Sequence, residues 1–584
     1  MCGIAAVFAW RDDAPPLRRE EVETITDSMI ERGPDARGTW YSPDGRVGLG
    51  SRRLAIIDLS PEGIQPMFDV ERELVIVFNG EIYNYQELRA SLERAGARFH
   101  SRSDTEVLLQ LYRRDGERML GLLRGMYAFA IWDSRTKRMF VARDPYGIKP
   151  LYIADDGKTI RIASQVKALL AGGAVAPTRD PAAAAAFFLL GSVPEPLTFH
   201  ANIRAVEAST SFFIDANGRG PAHPHTSIAS VFCRAEDQQS LGQLAEPEIL
   251  VREQVTESVA HHLVADVPIG IFLSSGIDST TIARMATRLS RTPPQTFTLT
   301  FDDLHGATDE APLAERFART LGAPHTTRRV TREEFLADLP RLFASMDQPT
   351  IDGVNTWFIS KAVREAGVKI ALTGLGGDEL FGGYPSFTNV PRLVRLMELP
   401  LAAGAIRRAP LGPPKLRRVG LFGTGWAGAW LLQRGLFLPD ELPSILGKAE
   451  AEEALQRLDI LGRIAAALDP EPGSAFGRVA ALESSLYMRN QLLRDSDWAS
   501  MAHSVEVRTP MVDVALLRQA APVTIEHGRR CKQALGADLP PWLRDRPKTA
   551  FFVPLGAWLD LPPDGTERRM RSWAKYVYER ALNA

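Results

Sequence analysis

The second residue of the chain is a cysteine, in the opening Met-Cys-Gly-Ile. A residue as small as cysteine permits removal of the initiator methionine, which would leave Cys2 with a free α-amino group. Reference pKa values of about 8.5 for a thiol and about 7.7–8.0 for an α-amine allow the amine to act as a base for the neighbouring sulfur. The motif predicts a nucleophilic thiol, and a cysteine that merely begins a buried strand is the alternative.

Other polar residues of the N-terminal third could surround such a thiol with groups that bind an α-amino acid. Asn79 and Gly80 end an apolar stretch and offer a side-chain amide and a backbone N–H, which suit an oxyanion, although a hairpin turn is the alternative. Arg53 can bind a carboxylate and Asp104 an ammonium. Together they predict a site for glutamine, with its side-chain amide at the sulfur of Cys2.

A second set of candidate residues lies near the middle of the chain, where residues 267–281 read VPIGIFLSSGIDSTT. A strand that turns through serine and glycine into a helix presents free backbone N–H groups to an anion. Thr373–Tyr384 (TGLGGDELFGGY) is a second glycine-rich loop after an apolar strand, and its Asp378 and Glu379 supply hard oxygen ligands. Two such loops at equivalent ends of one sheet predict a phosphate site.

The elements that must position these residues differ between the two parts of the chain. Alternating strands are predicted at Met126–Trp132, Met139–Ala142 and Ile160–Ala163. Residues 213–245 are rich in Gly, Pro, Ser and Gln and predict an exposed linker. From residue 246 strands and helices alternate, which predicts a doubly wound, mostly parallel sheet with its ligand site at the carboxyl ends of the strands. Beyond about residue 390 the pattern is largely helical.

Composition limits the classes of partner and compartment. The net charge of −2 over 584 residues gives no reason to expect nucleic acid. Three cysteines cannot form a disulfide framework. The N-terminus lacks the basic and apolar regions of a secretory signal, and the longest apolar run, Ala182–Gly191, is about half of a membrane span. These features predict a cytoplasmic protein without a membrane partner.

Residues 1–212 resemble the class II, N-terminal-nucleophile glutamine amidotransferase domain. The matching motifs are Met-Cys-Gly-Ile, Arg32-Gly33-Pro34-Asp35, Arg53-Leu54, Asn79-Gly80-Glu81, Ser103-Asp104-Thr105-Glu106 and Arg143-Asp144-Pro145-Tyr146-Gly147. The resemblance implies an α/β/β/α sandwich of two antiparallel sheets. It implies that Cys2 attacks the glutamine amide and that Asn79 and Gly80 form the oxyanion hole. Arg53, Glu81 and Asp104 are then expected to bind the glutamine.

Residues 246–584 resemble the synthetase domain of glutamine-hydrolysing asparagine synthetases. That domain belongs to the adenine-nucleotide α-hydrolases, whose pyrophosphate loop is Ser-Gly-Gly-x-Asp-Ser. The loop here is Ser274-Ser275-Gly276-Ile277-Asp278-Ser279, with Ser275 in place of the first glycine. Further matches are Gly376–Tyr384, Ser500–Arg508 and Arg546-Pro547-Lys548. The resemblance implies that ATP activates a carboxylate as an acyl-adenylate, which ammonia then converts to an amide.

The same resemblance assigns roles to individual residues. Those expected to bind ATP are Leu273, Ser274, Ser275, Gly276, Ile277, Asp278, Ser279, Leu299, Thr373 and Gly374. Asp278 and Asp378 are expected to hold Mg²⁺, and Lys548 to offset charge that develops on the phosphates. The residues expected at the acceptor and its adenylate are Leu375, Asp378, Glu379 and Arg508.

Two residues depart from the usual pattern of the family. Leu375 stands in Thr-Gly-Leu-Gly where Ser-Gly-Glu-Gly is usual, and that glutamate is associated with forming and using the aspartyl-adenylate. Gln348 stands in Asp-Gln-Pro where Asp-Glu-Pro is common.

Three hypotheses about function therefore stay open. The first is an asparagine synthetase, and the second is an amidotransferase of the same build for another carboxylate (a sugar acid, a peptide or a natural-product precursor). The third is a glutaminase-only or non-enzymatic relic. Intact Cys2, Asp278 and Lys548 oppose the last. Relatives in the family are often homodimers.

Overall fold

The computed structural model describes residues 2–239, 246–304, 309–399, 418–419, 425–546, 553–562 and 570–583. These ranges contain two antiparallel sheets in the N-terminal part and one parallel sheet in the C-terminal part. None of the helices in the same ranges combines the length and apolar character that a membrane crossing requires.

The strands in chain order are β1 (Cys2–Ala9), β2 (Ala36–Tyr41), β3 (Val47–Arg53), β4 (Met67–Phe68), β5 (Leu74–Ile82), β6 (Gly125–Asp133), β7 (Arg138–Arg143), β8 (Tyr152–Asp155), β9 (Thr159–Ala163), β10 (Arg204–Ala205), β11 (Thr210–Asp215), β12 (Gly218–Arg219), β13 (His223–Pro224), β14 (Ile269–Phe272), β15 (Gln295–Phe301), β16 (His325–Val330), β17 (Ile370–Leu372) and β18 (Glu506–Arg508).

The α-helices are α1 (Arg19–Asp27), α2 (Tyr85–Arg94), α3 (Asp104–Asp115), α4 (Val166–Ala171), α5 (Pro181–Leu190), α6 (Ile228–Gln239), α7 (Pro247–His262), α8 (Ile277–Leu289), α9 (Ala311–Leu321), α10 (Arg332–Ser345), α11 (Val354–Glu365), α12 (Gly377–Phe381), α13 (Ser386–Glu398), α14 (Gly425–Arg434), α15 (Pro443–Leu446), α16 (Lys448–Leu458), α17 (Ile460–Ala466), α18 (Ala475–Leu482), α19 (Arg494–Met501), α20 (Val514–Leu535), α21 (Pro541–Arg544), α22 (Leu555–Trp558) and α23 (Arg571–Asn583). A π-helical segment, Glu483–Leu493, joins α18 to α19.

The N-terminal part is a four-layer sandwich. Its sheets have the orders β10-β8-β9-β1-β3-β2 and β12-β11-β7-β6-β5-β4, with β13 beside β11. Ile4 and Phe8 of β1 pack between the sheets, whereas Ala5 and Val7 pack on α1 and α4. Helices α2 and α3 cover the other sheet. The expected α/β/β/α architecture is confirmed, and burial of β1 on both faces explains its unbroken apolar sequence.

The expected linker at 213–245 is wrong for most of its length. Strand β11 continues to Asp215, and β12 and β13 pair with it at the edge of the second sheet. Helix α6 follows, and its Ile228, Val231 and Phe232 are buried in the largest apolar cluster. The composition suggested an irregular loop because Gly, Pro and His are concentrated around β12 and β13. The burial of helix α6 depends on tertiary packing, which composition does not report.

The C-terminal part is built on a parallel sheet of order β16-β15-β14-β17-β18. The chain leaves β14 through α8 to β15 on one side, and β17 pairs with β14 on the other side. The carboxyl end of β14 is therefore the point where the strand order reverses, which is where open α/β sheets bind ligands. The elements described from Ser386 onward are helices apart from β18, so the expected doubly wound sheet and largely helical C-terminal part are confirmed.

Candidate active sites

Cys2 lies at the start of β1, opposite Arg53 of β3. Its backbone nitrogen donates a hydrogen bond to Oδ1 of Asn79 (3.0 Å), and Nε of Arg32 donates to its carbonyl oxygen (3.2 Å). Burial raises the pKa of the Cys2 thiol, whereas the charge of Arg53 lowers it. The structure thus fixes the main chain on both sides of the sulfur, as a buried nucleophile requires.

The predicted oxyanion donors lie on β5, directly beside Cys2. The Nδ2 atom of Asn79 is buried and has no hydrogen-bond acceptor among the residues that the structure describes. Gly80 pairs with Tyr127 of β6, and a Cβ at position 80 would lie 2.1 Å from the carbonyl oxygen of Met126. A buried donor without an acceptor is costly unless a ligand supplies one. The geometry therefore suits an oxyanion next to Cys2.

Arg53 and Asp104 are held in place by local hydrogen bonds. The guanidinium of Arg53 donates to the carbonyl oxygens of Ile57 (3.0 Å) and Ser60 (3.3 Å). Asp104 begins α3, and its Oδ2 accepts from the backbone N–H of Ile82 (3.0 Å). Burial raises the pKa of Asp104 to about 6. Both charges are positioned near the start of β1, as a clamp for an amino acid requires.

Glu81 points toward the C-terminal part. Its Oε2 lies 3.6 Å from Nη2 of Arg508, and burial raises its pKa well above the usual range. The carboxyl group thus has a partner across the two parts of the chain. The expected role of Glu81 in glutamine binding stays a prediction.

A cavity of about 730 Å³ lies at the carboxyl ends of β14, β15 and β17. All residues that the resemblance assigns to ATP line it: Leu273, Ser274, Ser275, Gly276, Ile277, Asp278, Ser279, Leu299, Thr373 and Gly374. The family resemblance named this set. Most of it is contiguous in the sequence, and the sheet topology brings Leu299, Thr373 and Gly374 beside the rest. Their role in binding ATP remains a prediction.

The two loops of this cavity pack directly on each other. A Cβ on Gly374 would lie 2.7 Å from the backbone nitrogen of Ser279, and one on Gly377 would lie 2.6 Å from Oδ1 of Asp278. The hydroxyl of Ser279 accepts from the backbone N–H of Ser274 (3.1 Å), which closes the first loop on itself. Glycine is needed at 374 and 377 because the side chain of any other residue would separate the loops.

Lys532 of α20 was not predicted from the sequence. Its Nζ donates to Oδ2 of Asp278 and to Oδ1 of Asp378, both at 2.7 Å. Burial lowers the pKa of Lys532, but the two carboxylates outweigh burial and raise it overall. A lysine in a long helix carries no motif of its own, so only its position against Asp278 and Asp378 reveals it.

The same two carboxylates fit Mg²⁺. Their oxygens converge on one point, which Lys532 Nζ contacts. Mg²⁺ is commonly bound by one or two carboxylates together with substrate phosphates and water. Within the described ranges, no cluster of three His, Cys, Asp or Glu residues forms a complete protein cage. The donor set suits a metal shared with a nucleotide, and the expected role of Asp278 and Asp378 as its ligands stays a prediction.

Most of the residues expected at the acceptor lie outside the wall of this cavity. Leu375 packs against the large apolar cluster, and Glu379 accepts a hydrogen bond from the hydroxyl of Tyr384 (2.9 Å); neither lines the cavity. Burial raises the pKa of Glu379 to about 7. Asp378 alone of the set is in the cavity, and Lys548 lies outside the described residues.

Arg508 is the clearest correction. The guanidinium is buried between the two parts of the chain, where it binds Glu506 (2.6 Å) and donates to the carbonyl oxygens of His262 (2.9 Å) and Val264 (2.7 Å). The prediction failed because β18, which carries Arg508, is the edge strand of the sheet beside the N-terminal part. Arg508 is thus held by contacts at the boundary between the two parts of the chain and does not line the cavity.

Gln348 also lies at this interface and not in the cavity. Its Oε1 accepts from the backbone N–H of Phe199 (2.7 Å), and its Nε2 donates to the carbonyl oxygen of Asp347 (2.9 Å). An amide can make both bonds, whereas a carboxylate could make only the first. The departure from Asp-Glu-Pro is therefore explained by packing between the two parts of the chain.

Comparison with known proteins agrees with this two-part arrangement. The asparagine synthase family matches residues 250–577, and the glutamine amidotransferase domain family matches residues 1–224. Glutamine-hydrolyzing asparagine synthetase 1 of Bacillus subtilis is 30% identical over 603 residues, which cover 99% of this chain and 90% of that protein. The protein named amidase chry2 of Gibberella zeae is 32% identical over 415 residues, which cover 66% of this chain and 60% of that protein.

Among solved structures, glutamine phosphoribosylpyrophosphate amidotransferase from B. subtilis, complexed with ADP and GMP, is similar at 17% identity with a TM-score of 0.30. That match covers 64% of this chain and 81% of the other. The family assignment depends on the two domain matches and the full-length relative. This chain belongs to the family of glutamine-hydrolysing asparagine synthetases, which are ATP-dependent ligases.

Proposed function

We propose that this enzyme is an asparagine synthetase that transfers ammonia from glutamine to the side-chain carboxylate of aspartate. The observation that carries the proposal is the meeting of two loops in one cavity, where Lys532 joins Asp278 to Asp378. That arrangement suits a metal-bound triphosphate, and the same chain holds a buried N-terminal thiol beside oxyanion donors. Together these supply activation of a carboxylate and a source of ammonia.

In the glutaminase half, the sulfur of Cys2 attacks the side-chain amide carbonyl of glutamine. The thiol proton passes to the α-amine, whose nitrogen is the atom that Asn79 Oδ1 holds at 3.0 Å. Nδ2 of Asn79 and the N–H of Gly80 face the oxyanion that forms. Arg53 and Asp104 hold the α-carboxylate and α-ammonium. The α-ammonium passes this proton to the amide nitrogen, which leaves as ammonia, and water hydrolyses the thioester to release glutamate.

In the synthetase half, an acceptor oxygen attacks the α-phosphorus of ATP and releases pyrophosphate. The backbone N–H groups of the Ser274–Ser279 loop and the start of α8 face the β- and γ-phosphates. Asp278 and Asp378 would hold Mg²⁺, which when bound neutralises charge on the phosphates. Ammonia then attacks the acyl carbon, and AMP leaves. Lys532 keeps the two metal ligands together while charge moves onto the pyrophosphate.

Ammonia must cross from Cys2 to the adenylate without gaining a proton. A small cavity, about 10 Å³, lies between the two parts of the chain beside Lys149, Asp497 and Thr509. That volume holds about one water-sized molecule. The cavity lies at the boundary that a route for ammonia would cross.

The test is an assay of the purified enzyme with glutamine, ATP and Mg²⁺. Addition of L-aspartate is expected to yield AMP, pyrophosphate and asparagine in equal amounts. Absence of AMP and asparagine, with glutamate release intact, would exclude aspartate as the acceptor.

A second candidate is the same two-step reaction on another carboxylate, such as a sugar acid, a peptide or a natural-product precursor. It is favoured by Leu375, a partly buried side chain without a basic or acidic group, which packs against the apolar cluster at a position where the family usually carries a glutamate. Relatives named amidase chry2 and amidase chyE match two thirds of the chain. The test measures AMP formation with each member of a panel of carboxylic acids. AMP formed with another acid and not with aspartate would favour this candidate over an asparagine synthetase.

A further inference from the structure

One N–H group of the Ser274–Ser279 loop has a carboxylate of the protein as its acceptor. The backbone N–H of Ser275 donates to Oε2 of Glu310 (3.2 Å). The N–H groups of Ser274 and Gly276 donate to serine hydroxyls of the loop itself, each at 3.1 Å. A carboxylate oxygen accepts the same kind of charge-assisted hydrogen bond as a phosphate oxygen. An anion of the protein thus lies where the loop is proposed to hold an anion of the substrate.

The side chain of Glu310 is directed away from its own helix. Glu310 directly precedes α9 as its N-cap, a position whose side chain commonly accepts from the first N–H groups of the helix. In the described part of the chain Glu310 makes no such bond, and Oδ1 of Asp309 accepts from the N–H of Ala311 instead (3.0 Å). The Glu310 side chain is 10% exposed and lines the nucleotide cavity. Its orientation therefore serves the loop and not the helix.

Arg546 contacts the same carboxylate and the same loop. Its Nη1 lies 3.8 Å from Oε1 of Glu310 and donates a hydrogen bond to the hydroxyl of Ser275. That hydroxyl is present because Ser275 stands where the usual loop of the family has a glycine. A backbone N–H and a guanidinium are both common donors to phosphate oxygens. The carboxylate of Glu310 thus occupies a small anion site formed by Ser275 and Arg546.

An occupied anion site of this kind affects the release of pyrophosphate. Departure of an anion from a buried loop is costly when the N–H donors are left without an acceptor. Glu310 supplies an acceptor from within the protein, so its carboxylate and the departing anion exchange places at the same donors. The exchange lowers the affinity for ATP as well, but ATP also brings an adenosine that pyrophosphate lacks. Pyrophosphate is therefore the more weakly held of the two.

We infer that Glu310 is a product-release residue, whose carboxylate displaces pyrophosphate from the N–H of Ser275 and from Arg546. The inference rests on the proposed function, since it takes this cavity as the site of ATP. It also gives a role to Ser275, whose hydroxyl keeps Arg546 beside the loop and within reach of either anion. Release of products limits kcat in many enzymes, so Glu310 is expected to act on turnover.

The test measures the binding and dissociation of magnesium pyrophosphate on the full-length enzyme, without acceptor or glutamine. Glu310→Gln removes the charge and nearly keeps the shape of the side chain. The dissociation constant of pyrophosphate is expected to fall by at least about tenfold, mainly through slower dissociation. A variant that is merely damaged would bind pyrophosphate less tightly, so the direction of the change tests the mechanism. Glutamine hydrolysis is expected to stay unchanged and checks the folding of the variant.

Two further variants separate exchange at the loop from a general effect of charge. Glu310→Asp keeps the charge but shortens the side chain by one methylene group, which removes its reach to the N–H of Ser275. This variant is also expected to bind pyrophosphate more tightly than the unchanged enzyme. Glu315→Gln removes an exposed acid of the same helix, which pairs with Arg319 at 3.0 Å. It is the matched control and is expected to leave pyrophosphate binding unchanged.

The outcomes distinguish the inference from the proposed function. Unchanged or weaker pyrophosphate binding in Glu310→Gln would overturn the inference, as would unchanged binding in Glu310→Asp or equal tightening in Glu315→Gln. In each of these cases, binding of ATP would still support the proposed synthetase reaction. Binding of neither ATP nor pyrophosphate by the unchanged enzyme, with glutaminase activity intact, would instead refute that reaction and the inference with it.

Discussion

Cys2 is expected to serve only the glutaminase half. Cys2→Ala removes the nucleophile while Asn79 still binds the main chain at residue 2, so glutamine-dependent amide formation is expected to fall by at least about 10³-fold. Ammonia-dependent formation of the same amide is expected to stay within about twofold, since the second site lies on a different sheet. Both rates are measured as AMP release with saturating acceptor. Equal loss of both would contradict two separate sites.

The raised pKa of the Asp104 carboxyl group predicts how glutamine hydrolysis depends on pH. Its pKa is raised by burial to about 6, and only the ionised carboxylate can bind the ammonium of glutamine. Protonation increases as the pH falls through this value, so kcat/KM for glutamine is expected to decrease below about pH 6. The measurement is glutamate release from about pH 8 to pH 5. ATP–pyrophosphate exchange, which uses no glutamine, is the control, and a flat glutaminase profile would refute the role.

Lys532 is expected to matter for ATP and not for glutamine. Lys532→Met removes the cation between Asp278 and Asp378. The two carboxylates then repel each other, and this repulsion opposes their joint approach to a metal-bound phosphate. ATP–pyrophosphate exchange is expected to fall by about 10²-fold, with glutaminase activity retained. Lys532→Arg keeps the charge and is expected to restore part of the rate. Unchanged exchange in Lys532→Met would show that the lysine is only structural.

At the scale of elements, the nucleotide site depends on close contact between the loops after β14 and β17. Gly377→Ala places a Cβ 2.6 Å from Oδ1 of Asp278, so one of the loops must move. The KM for ATP is expected to rise by about tenfold or more, because a displaced phosphate loop loses aligned N–H donors. Gly121→Ala, where a Cβ meets nothing within 4 Å, is the control. Equal KM values in the two variants would contradict the packing argument.

At the scale of the whole molecule, buried charges join the glutaminase part to the synthetase part. Arg32, which donates to Cys2, makes two hydrogen bonds to Asp497 of α19, at 2.7 Å and 3.1 Å. Both side chains are almost fully buried, at 2% and 4% exposure. The pair therefore connects the main chain at Cys2, the proposed nucleophile, to the part of the chain that is proposed to use its ammonia.

Asp497→Asn leaves the guanidinium of Arg32 buried without its charged partner. Breaking such a pair is expected to lower the free energy of unfolding by about 3–5 kcal/mol. Released glutamate is also expected to exceed amide formed, since the route beside Asp497 is disturbed. The measurements are denaturant unfolding and the ratio of the two products. Glu31→Gln breaks the half-exposed pair with Arg341 and is the control, with an expected change below about 1 kcal/mol. Similar decreases in the free energy of unfolding in Asp497→Asn and Glu31→Gln would contradict a special role for the buried pair.

Much of the fold, and the clustering of the residues expected to bind ATP in one cavity, could be predicted from the sequence. The Ser274–Ser279 loop and Thr373–Gly374 are local motifs, and each follows an apolar strand whose end the sheet topology must bring to the same edge. The linker prediction failed at α6, because its burial comes from contacts with distant helices. Composition in a short window cannot report such contacts.

The sequence by itself determined the family, the two kinds of sheet, the thiol at Cys2 and the residues around the nucleotide cavity, because each is encoded within a few consecutive residues. Only the tertiary structure decided that Lys532 joins Asp278 to Asp378, across 254 and 154 residues. It also moved Arg508 from the acceptor site to the buried interface. Charge pairing inside a protein depends on which groups burial brings together, and that proximity has no signature in sequence spacing.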